Sequence, residues 1–215
     1  RRGVKELDKL HASGKPFFAT LLTVSNHRPY TYPEGRIPET AQTRENAVKY
    51  SDYSLGYFFR EAKSHDFYKN TLFVVMGDHG ARVYGSQMFP LQSYRVPVVM
   101  LQPDGSGHGT RCSTLGCSLD IAPTILARLG GEYRSVFFGQ DVVTTTPQEG
   151  RALMQHNHDV VMLTPQHQLV NLGFNRTAWE FDVALSDFAL TQHGLPEPEH
   201  LQNTAALFQT AFRLY

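Results

Sequence analysis

Cysteine is scarce in this chain: Cys112 and Cys117 are the only two among 215 residues, with four residues between them. A metal knuckle needs more Cys or His at tighter spacing, so a zinc-finger reading is weak. A small loop disulfide in an oxidising compartment and two ordinary thiols both fit the spacing. An excess of one charge is also lacking. Twenty basic residues balance twenty acidic ones, so no global field recruits nucleic acid or an anionic membrane surface. No apolar run approaches the roughly 20 residues that cross a bilayer, so this segment is not itself membrane-embedded. Arg1–Leu10 alternates charges where a signal peptide would be apolar, and an opening Arg-Arg in a helical pattern suggests a piece of something longer. Internal repeats and low-complexity segments are absent. What is there is 41% apolar, 12% aromatic and 19% charged. That composition buries a sizeable core and excludes disorder, collagen and coiled coil.

Along the chain, Phe17–Val24 is short, almost wholly apolar and rich in β-formers, which predicts a strand buried on both faces. It ends in Ser25-Asn26-His27-Arg28-Pro29, followed by a Pro- and Gly-rich stretch. A helix is predicted from about Thr43 to Lys63, with Val48, Leu55, Phe58, Phe59 and Ala62 at near-helical intervals. Thr71–Met76 and Val96–Leu101 are predicted strands, and Pro123 should open a helix that Gly130 stops. Strands alternating with helices predict a parallel, doubly wound α/β sheet up to about residue 147. From 148 the texture changes. Val160–Leu163, Leu169–Leu172 and Ala178–Val183 are β-like runs joined by short turns, which predicts an antiparallel meander. A docking helix should close the chain over Glu199–Tyr215, with Leu201, Ala205, Phe208, Phe212 and Tyr215 on one face.

Chemistry concentrates at strand ends, where open α/β sheets present ligand groups. Gly77-Asp78-His79-Gly80 follows a predicted strand directly. Asp78 offers a hard carboxylate and His79 a borderline imidazole, a pairing suited to Zn²⁺, Mn²⁺ or Mg²⁺. An Asp-Gly-type turn with a surface histidine has the same spacing. His27 follows the first predicted strand in the same manner, and its near-neutral pKa suits binding an anionic oxygen or protonating a leaving group. A loop imidazole bonded to a carbonyl is the alternative. His108 sits in G-S-G-H-G-T as a third candidate, and Arg82 and Arg95 are candidates for an anionic ester or for surface ion pairs. His156, His158 and His167 lack a carboxylate pair. Asn175-Arg176-Thr177 matches the glycosylation triplet.

Taken together, P-F-F-A-T-L-L-T-V-S-N-H-R-P-Y, E-N-A-V-K-Y-S-D-Y-S-L-G-Y-F-F, N-T-L-F-V-V-M-G-D-H-G, Y-R-V-P-V-V-M-L-Q-P and L-D-I-A-P-T-I-L-A-R-L-G resemble the sulfatase-like domain of lipoteichoic acid synthase-type proteins. These belong to the alkaline phosphatase superfamily and include phosphoglycerol transferases. The similarity runs in order over about residues 15–140, and the part after Gln148 looks like their small C-terminal subdomain. The resemblance implies an α/β fold: half of an alkaline-phosphatase-like parallel sheet flanked by helices (1–147), then a small antiparallel meander with a terminal helix (148–215).

It further implies that Asp78 and His79 bind one divalent ion, Mn²⁺ first with Zn²⁺ or Mg²⁺ as alternatives. His27 would lie at the substrate phosphate, with Arg82 and His108 as further substrate-binding candidates. The implied reaction is in-line attack by a Thr or Ser on a phosphoester, passing the group to an alcohol or water. One departure from the pattern matters. The nucleophile and an acidic metal ligand lie well upstream of the S/T-N-H motif in these proteins, yet only 26 residues precede His27 here. Thr20 and Thr23 fall inside the predicted strand. The chain is therefore expected to be the C-terminal half of a catalytic domain, inactive alone, whose partner is the N-terminal half. The parent is expected to be a bacterial enzyme anchored in the membrane and working outside the cytoplasm on a phospholipid or a phosphorylated or sulfated small substrate. Sulfate ester hydrolysis and a non-catalytic binding module are the alternatives.

Overall fold

In the computed structural model, residues 1–81 and 87–214 are described. The chain divides into two units, one formed by Arg1–Phe73 with Met100–His108, the other by Val74–Val99 with Gly109–Tyr215. In the first unit, Val4 and Leu7 of helix α1 (Arg2–Ala12) and Ala62 of helix α2 (Arg44–Ala62) form an apolar cluster with Phe67 and Phe73, which follow α2. α2 starts where expected because the Thr43 hydroxyl accepts the Asn46 N–H at 3.3 Å, satisfying a donor the helix itself cannot. Phe58 and Phe59 meet Phe73 edge-on, with centroids 6.1 and 5.3 Å apart, the arrangement the ring quadrupoles favour. His65 Nδ1 lies 2.8 Å from Asp8 Oδ1, tying α1 to the turn after α2.

The strand expected over Phe17–Val24 is not formed. The segment has no regular structure, and Phe18, Leu22 and Val24 are largely exposed. Apolar β-formers make a strand only when a neighbouring ladder takes up their N–H and C=O groups. Among the described residues no strand pairs with this run.

The other predicted elements of the α/β part are present. β1 (Phe73–Met76) and β2 (Val98–Leu101) form a two-stranded sheet, and α3 spans Ile121–Leu129 with Pro123 in its first turn. Before α3, the buried Asp120 carboxylate accepts the backbone N–H groups of Cys117 (2.6 Å) and Gln140 (2.8 Å), stitching two loops to the helix start.

The rest of the second unit is a five-stranded antiparallel meander in sequential order: β3 (Ala152–His156), β4 (Asp159–Leu163), β5 (Gln168–Leu172), β6 (Ala178–Val183) and β7 (Leu190–Gly194). Sequence patterning finds β4 to β6 but not the two outer strands. Edge strands need only one partner and keep polar residues, as Thr191, Gln192 and His193 do on β7. Central β5 buries Leu169, Val170 and Asn171 in succession because both faces are covered. On one face Phe89 and Leu91 pack with Ala152, Val161, Leu163, Leu169, Phe181 and Val183. On the other lies helix α4 (Pro198–Leu214), packed on β4 and β5.

The buried face of α4 differs from the expected one. Thr204 is fully buried, whereas Leu201 points outward and Phe212 is 87% exposed; Tyr215 lies outside the described residues. Thr204 escapes a hydropathy reading because its hydroxyl donates to the His200 carbonyl at 2.8 Å, so it is buried without an orphaned polar group.

α4 is latched by Glu180, which is 2% exposed. One carboxylate oxygen accepts the Glu197 N–H (2.8 Å) and the other faces His200 Nδ1 (2.9 Å). A carboxylate at a helix N-terminus also meets the positive end of the helix dipole. Glu180→Ala should destabilise the protein by about 2–4 kcal/mol, because it strands both donors in a buried place. Urea unfolding checks this, and early protease cleavage within α4 should accompany the loss.

Candidate functional site

β1 ends at Met76 and delivers the backbone straight into Gly77-Asp78-His79-Gly80. There Asp78 Oδ1 accepts the His79 N–H at 2.9 Å, which fixes the carboxylate plane. His79 Nδ1 lies 2.9 Å from the Gly80 carbonyl. A carbonyl can only accept, so Nδ1 carries the proton and the neutral ring's lone pair sits on Nε2. That Nε2 is 3.6 Å from Asp78 Oδ2, and both side chains are mostly exposed. Two electron-rich atoms thus stand side by side facing solvent. Donors at roughly 2.0–2.2 Å from one divalent ion are spaced by a similar distance, so the pair fits an ion held jointly. Among the described residues no cluster of three or more His, Cys, Asp or Glu completes such a site.

His27 belongs to the first unit. Its Nδ1 is 3.0 Å from the Arg28 carbonyl, so it too donates from Nδ1 and turns Nε2 outward, in an exposed position. The loop bearing it is laid along α2. Ser25 Oγ meets Ser51 Oγ at 3.3 Å, Tyr32 stacks on Tyr50 with centroids 5.4 Å apart, and Asn46 Nδ2 donates to the Ala41 carbonyl at 2.9 Å. Lys49 pairs with Glu39 on the same stretch. The backbone of the His27 loop is therefore anchored while its imidazole stays accessible.

His108, also in the first unit, lies in an exposed loop turned by Gly105, Gly107 and Gly109 at positive φ. Arg82 lies outside the described residues. The structure thus brings Asp78 and His79 together and describes His27 and His108 each in its own loop. Arg95 is no ion-pair partner in what is described: its guanidinium sits over the Phe188 ring, 4.7 Å from the centroid. His156 closes β3 while His158 falls in the following turn, so the two do not share a strand face. Cys112 and Cys117 are free thiols, and burial pushes the Cys117 thiol above its ordinary value. A cleft of about 760 Å³ beside α4, with Arg151, His200 and Asn203 in its wall, contains none of the candidate site residues.

Sequence reasoning took Gly80 only as part of a tight turn and passed over Tyr94. A Cβ on Gly80 would come within 2.1 Å of the Ser93 carbonyl oxygen and 3.0 Å of the Arg95 one, so the loop rests directly on the 93–95 backbone. The only local signal was glycine immediately after the Asp-His pair.

An α/β part with a strand-end Asp-His pair is thus followed by an antiparallel meander and a terminal helix. A solved structure of a protein in the alkaline phosphatase superfamily, from Vibrio parahaemolyticus, superposes with a TM-score of 0.84 at 30% identity, over 96% of this chain and 50% of the other. The lipoteichoic acid synthase LtaP from Listeria monocytogenes superposes with a TM-score of 0.71 at 18% identity, covering 98% of this chain and 56% of that one, and shows the same fold. The sulfatase family model matches residues 2–131, and the chain belongs to the sulfatase family. Lipoteichoic acid synthase 1 of Bacillus subtilis is 27% identical over 189 residues, which is 78% of this chain but 29% of that protein. Lipoteichoic acid synthase of Staphylococcus saprophyticus is 26% identical over 158 residues. The chain spans about a quarter of the length of these synthases and about half of the solved chains.

Proposed function

We propose that these residues form the metal- and proton-handling part of a phosphoryl or phosphoglycerol transferase or phosphoester hydrolase, completed by an N-terminal half that supplies a Thr or Ser nucleophile. The observation that carries the reading is the Asp78–His79 pair, with Oδ2 and Nε2 3.6 Å apart and the ring proton committed to the Gly80 carbonyl. These two side chains would hold a divalent ion, Mn²⁺ in the first instance, which when bound activates a nucleophile and stabilises charge on the transferred group. His27, with Nδ1 engaged at Arg28, presents Nε2 outward; in the imidazolium form, with both nitrogens protonated, Nε2–H would bind a phosphate oxygen or give its proton to the leaving alcohol. Arg82 and His108 are assigned to the substrate's anionic oxygens. In this scheme residues 1–147 belong to the catalytic α/β part and 148–215 form a bracing subdomain. The similarity to lipoteichoic acid synthases points to a phosphoglycerol-bearing lipid as donor, and to a membrane-anchored parent working outside the cytoplasm. Among the described residues no helix is long and apolar enough to cross a membrane.

His27→Gln in the full-length protein should lower kcat on a phosphoglycerol lipid about 10²- to 10⁴-fold, the usual worth of a positioned proton donor. Metal content should stay unchanged. A rate within twofold of wild type would remove His27 from the reaction. The family's name favours sulfate esters as a second reading, and an aryl sulfate turned over faster than the matching phosphate would establish it.

A further inference from the structure

We infer that Tyr94 is a positioning residue for the Asp78–His79 pair, transmitting the rigidity of the antiparallel meander to the loop that carries both donors. The inference rests on the metal-binding reading above and adds to it what orients the ligands.

The starting point is exposure. The Asp78 and His79 side chains are 68% and 80% exposed, so packing of their own atoms cannot set their direction. It has to come from the backbone, and that backbone is held at both glycines by one short strip, residues 93–97. At one end the Gly77 N–H donates to the Pro97 carbonyl at 3.2 Å. At the other, Gly80 is seated against the Ser93 and Arg95 carbonyls so closely that no Cβ fits. Wherever the strip moves, the donor pair moves.

Tyr94 lies within this strip and is gripped from the meander side. Its hydroxyl donates to the Gln155 carbonyl at 2.6 Å and is 3.1 Å from His156 Nδ1, which can donate back. A phenol has one proton and two lone pairs, so both contacts are satisfied together. Burial raises the Tyr94 pKa, so the hydroxyl keeps its proton around neutrality. The ring stacks on Phe89 at 4.7 Å and 23°, and Phe89 is 1% exposed in the core of the unit. Residues on either side add two further holds: Gln92 Nε2 donates to the Asp187 carbonyl at 2.6 Å, and Arg95 covers Phe188. The strip is thus tied to β3 and to the β6–β7 connection, and it is the element on which the metal loop rests. Orientation of exposed ligands by buried neighbours is a general requirement of metal sites.

Tyr94→Phe keeps the ring, its stacking and its volume and removes only the hydroxyl. In the 215-residue protein, amide exchange at residues 77–81 should accelerate, and Mn²⁺ affinity, read by titration, should weaken about three- to tenfold. In the full-length protein the lost rate should return on raising Mn²⁺. Val183→Ala, which opens the same core without removing a hydrogen bond to the strip, should lower the melting temperature without changing Mn²⁺ affinity. Unchanged exchange at 77–81 in Tyr94→Phe, or an equal loss of Mn²⁺ affinity in Val183→Ala, would overturn the assignment. Asp78→Ala separates the two ideas. If that variant still binds Mn²⁺ as tightly as wild type, the metal reading is wrong, while the exchange result continues to decide whether Tyr94 holds the loop.

Discussion

Asp78→Ala in the full-length protein should reduce metal-dependent turnover by about 10³-fold or more, since a bound ion supplies several kcal/mol of transition-state stabilisation. His79→Ala should do the same. If both side chains hold one ion, as proposed, through donor atoms that stand 3.6 Å apart, the double variant should be little worse than either single one, as expected when two groups act as a unit. Bound metal, measured by elemental analysis, should fall with the rate. Folding should barely change: both side chains are mostly exposed, and surface substitutions typically shift stability by no more than about 0.5 kcal/mol. This pattern separates a ligand pair from an ordinary Asp-Gly-type turn. A turn residue would cost some stability and leave metal content alone. Asp78→Ala with full activity and full metal content would remove the cation from the assignment.

The largest effect on stability is expected at Asp120, which is not among the candidate site residues. Its carboxylate is 4% exposed and each oxygen accepts one backbone N–H, from Cys117 and from Gln140. Asp120→Ala removes both acceptors and leaves two buried donors without partners, at a cost of about 3 kcal/mol or more. For a chain of this size that corresponds to a fall in melting temperature of roughly 6–12 °C. Asp120→Asn should fall between, because the amide retains one acceptor but turns its NH₂ toward a donor. Differential scanning calorimetry of the three proteins checks the order. Equal melting temperatures for wild type and Asp120→Ala would show that the carboxylate does not hold these loops together.

Much of the fold is legible locally. α2 announces itself through the Thr43 cap and the spacing of its apolar residues, and the observed helix begins one residue after that cap. The central strands of the meander are short apolar runs between turn residues, and they form where expected. What failed did so wherever a distant partner decides the outcome. Phe17–Val24 has the composition of a buried strand, but composition cannot provide the neighbouring ladder that a strand needs. In α4, hydropathy counts Thr204 as wet and Phe212 as buried. The structure reverses both, because Thr204 satisfies its hydroxyl on its own helix and the sheet covers a different face.

The candidate site divides along the same line. That an acid and an imidazole are neighbours between two glycines is a property of the covalent chain, and so is the placing of His27 just after an apolar run. These are statements about adjacent residues, which any folded state must honour. Which nitrogen of His79 keeps its proton and how the Asp78 carboxylate is turned depend on backbone geometry at adjacent residues. The strip on which the loop rests is held by contacts between segments 62 positions apart, as Tyr94 and His156 are, and 95 apart, as Gln92 and Asp187 are. Contacts of that kind arise only when the segments close on one another, and they leave almost no trace in local spacing.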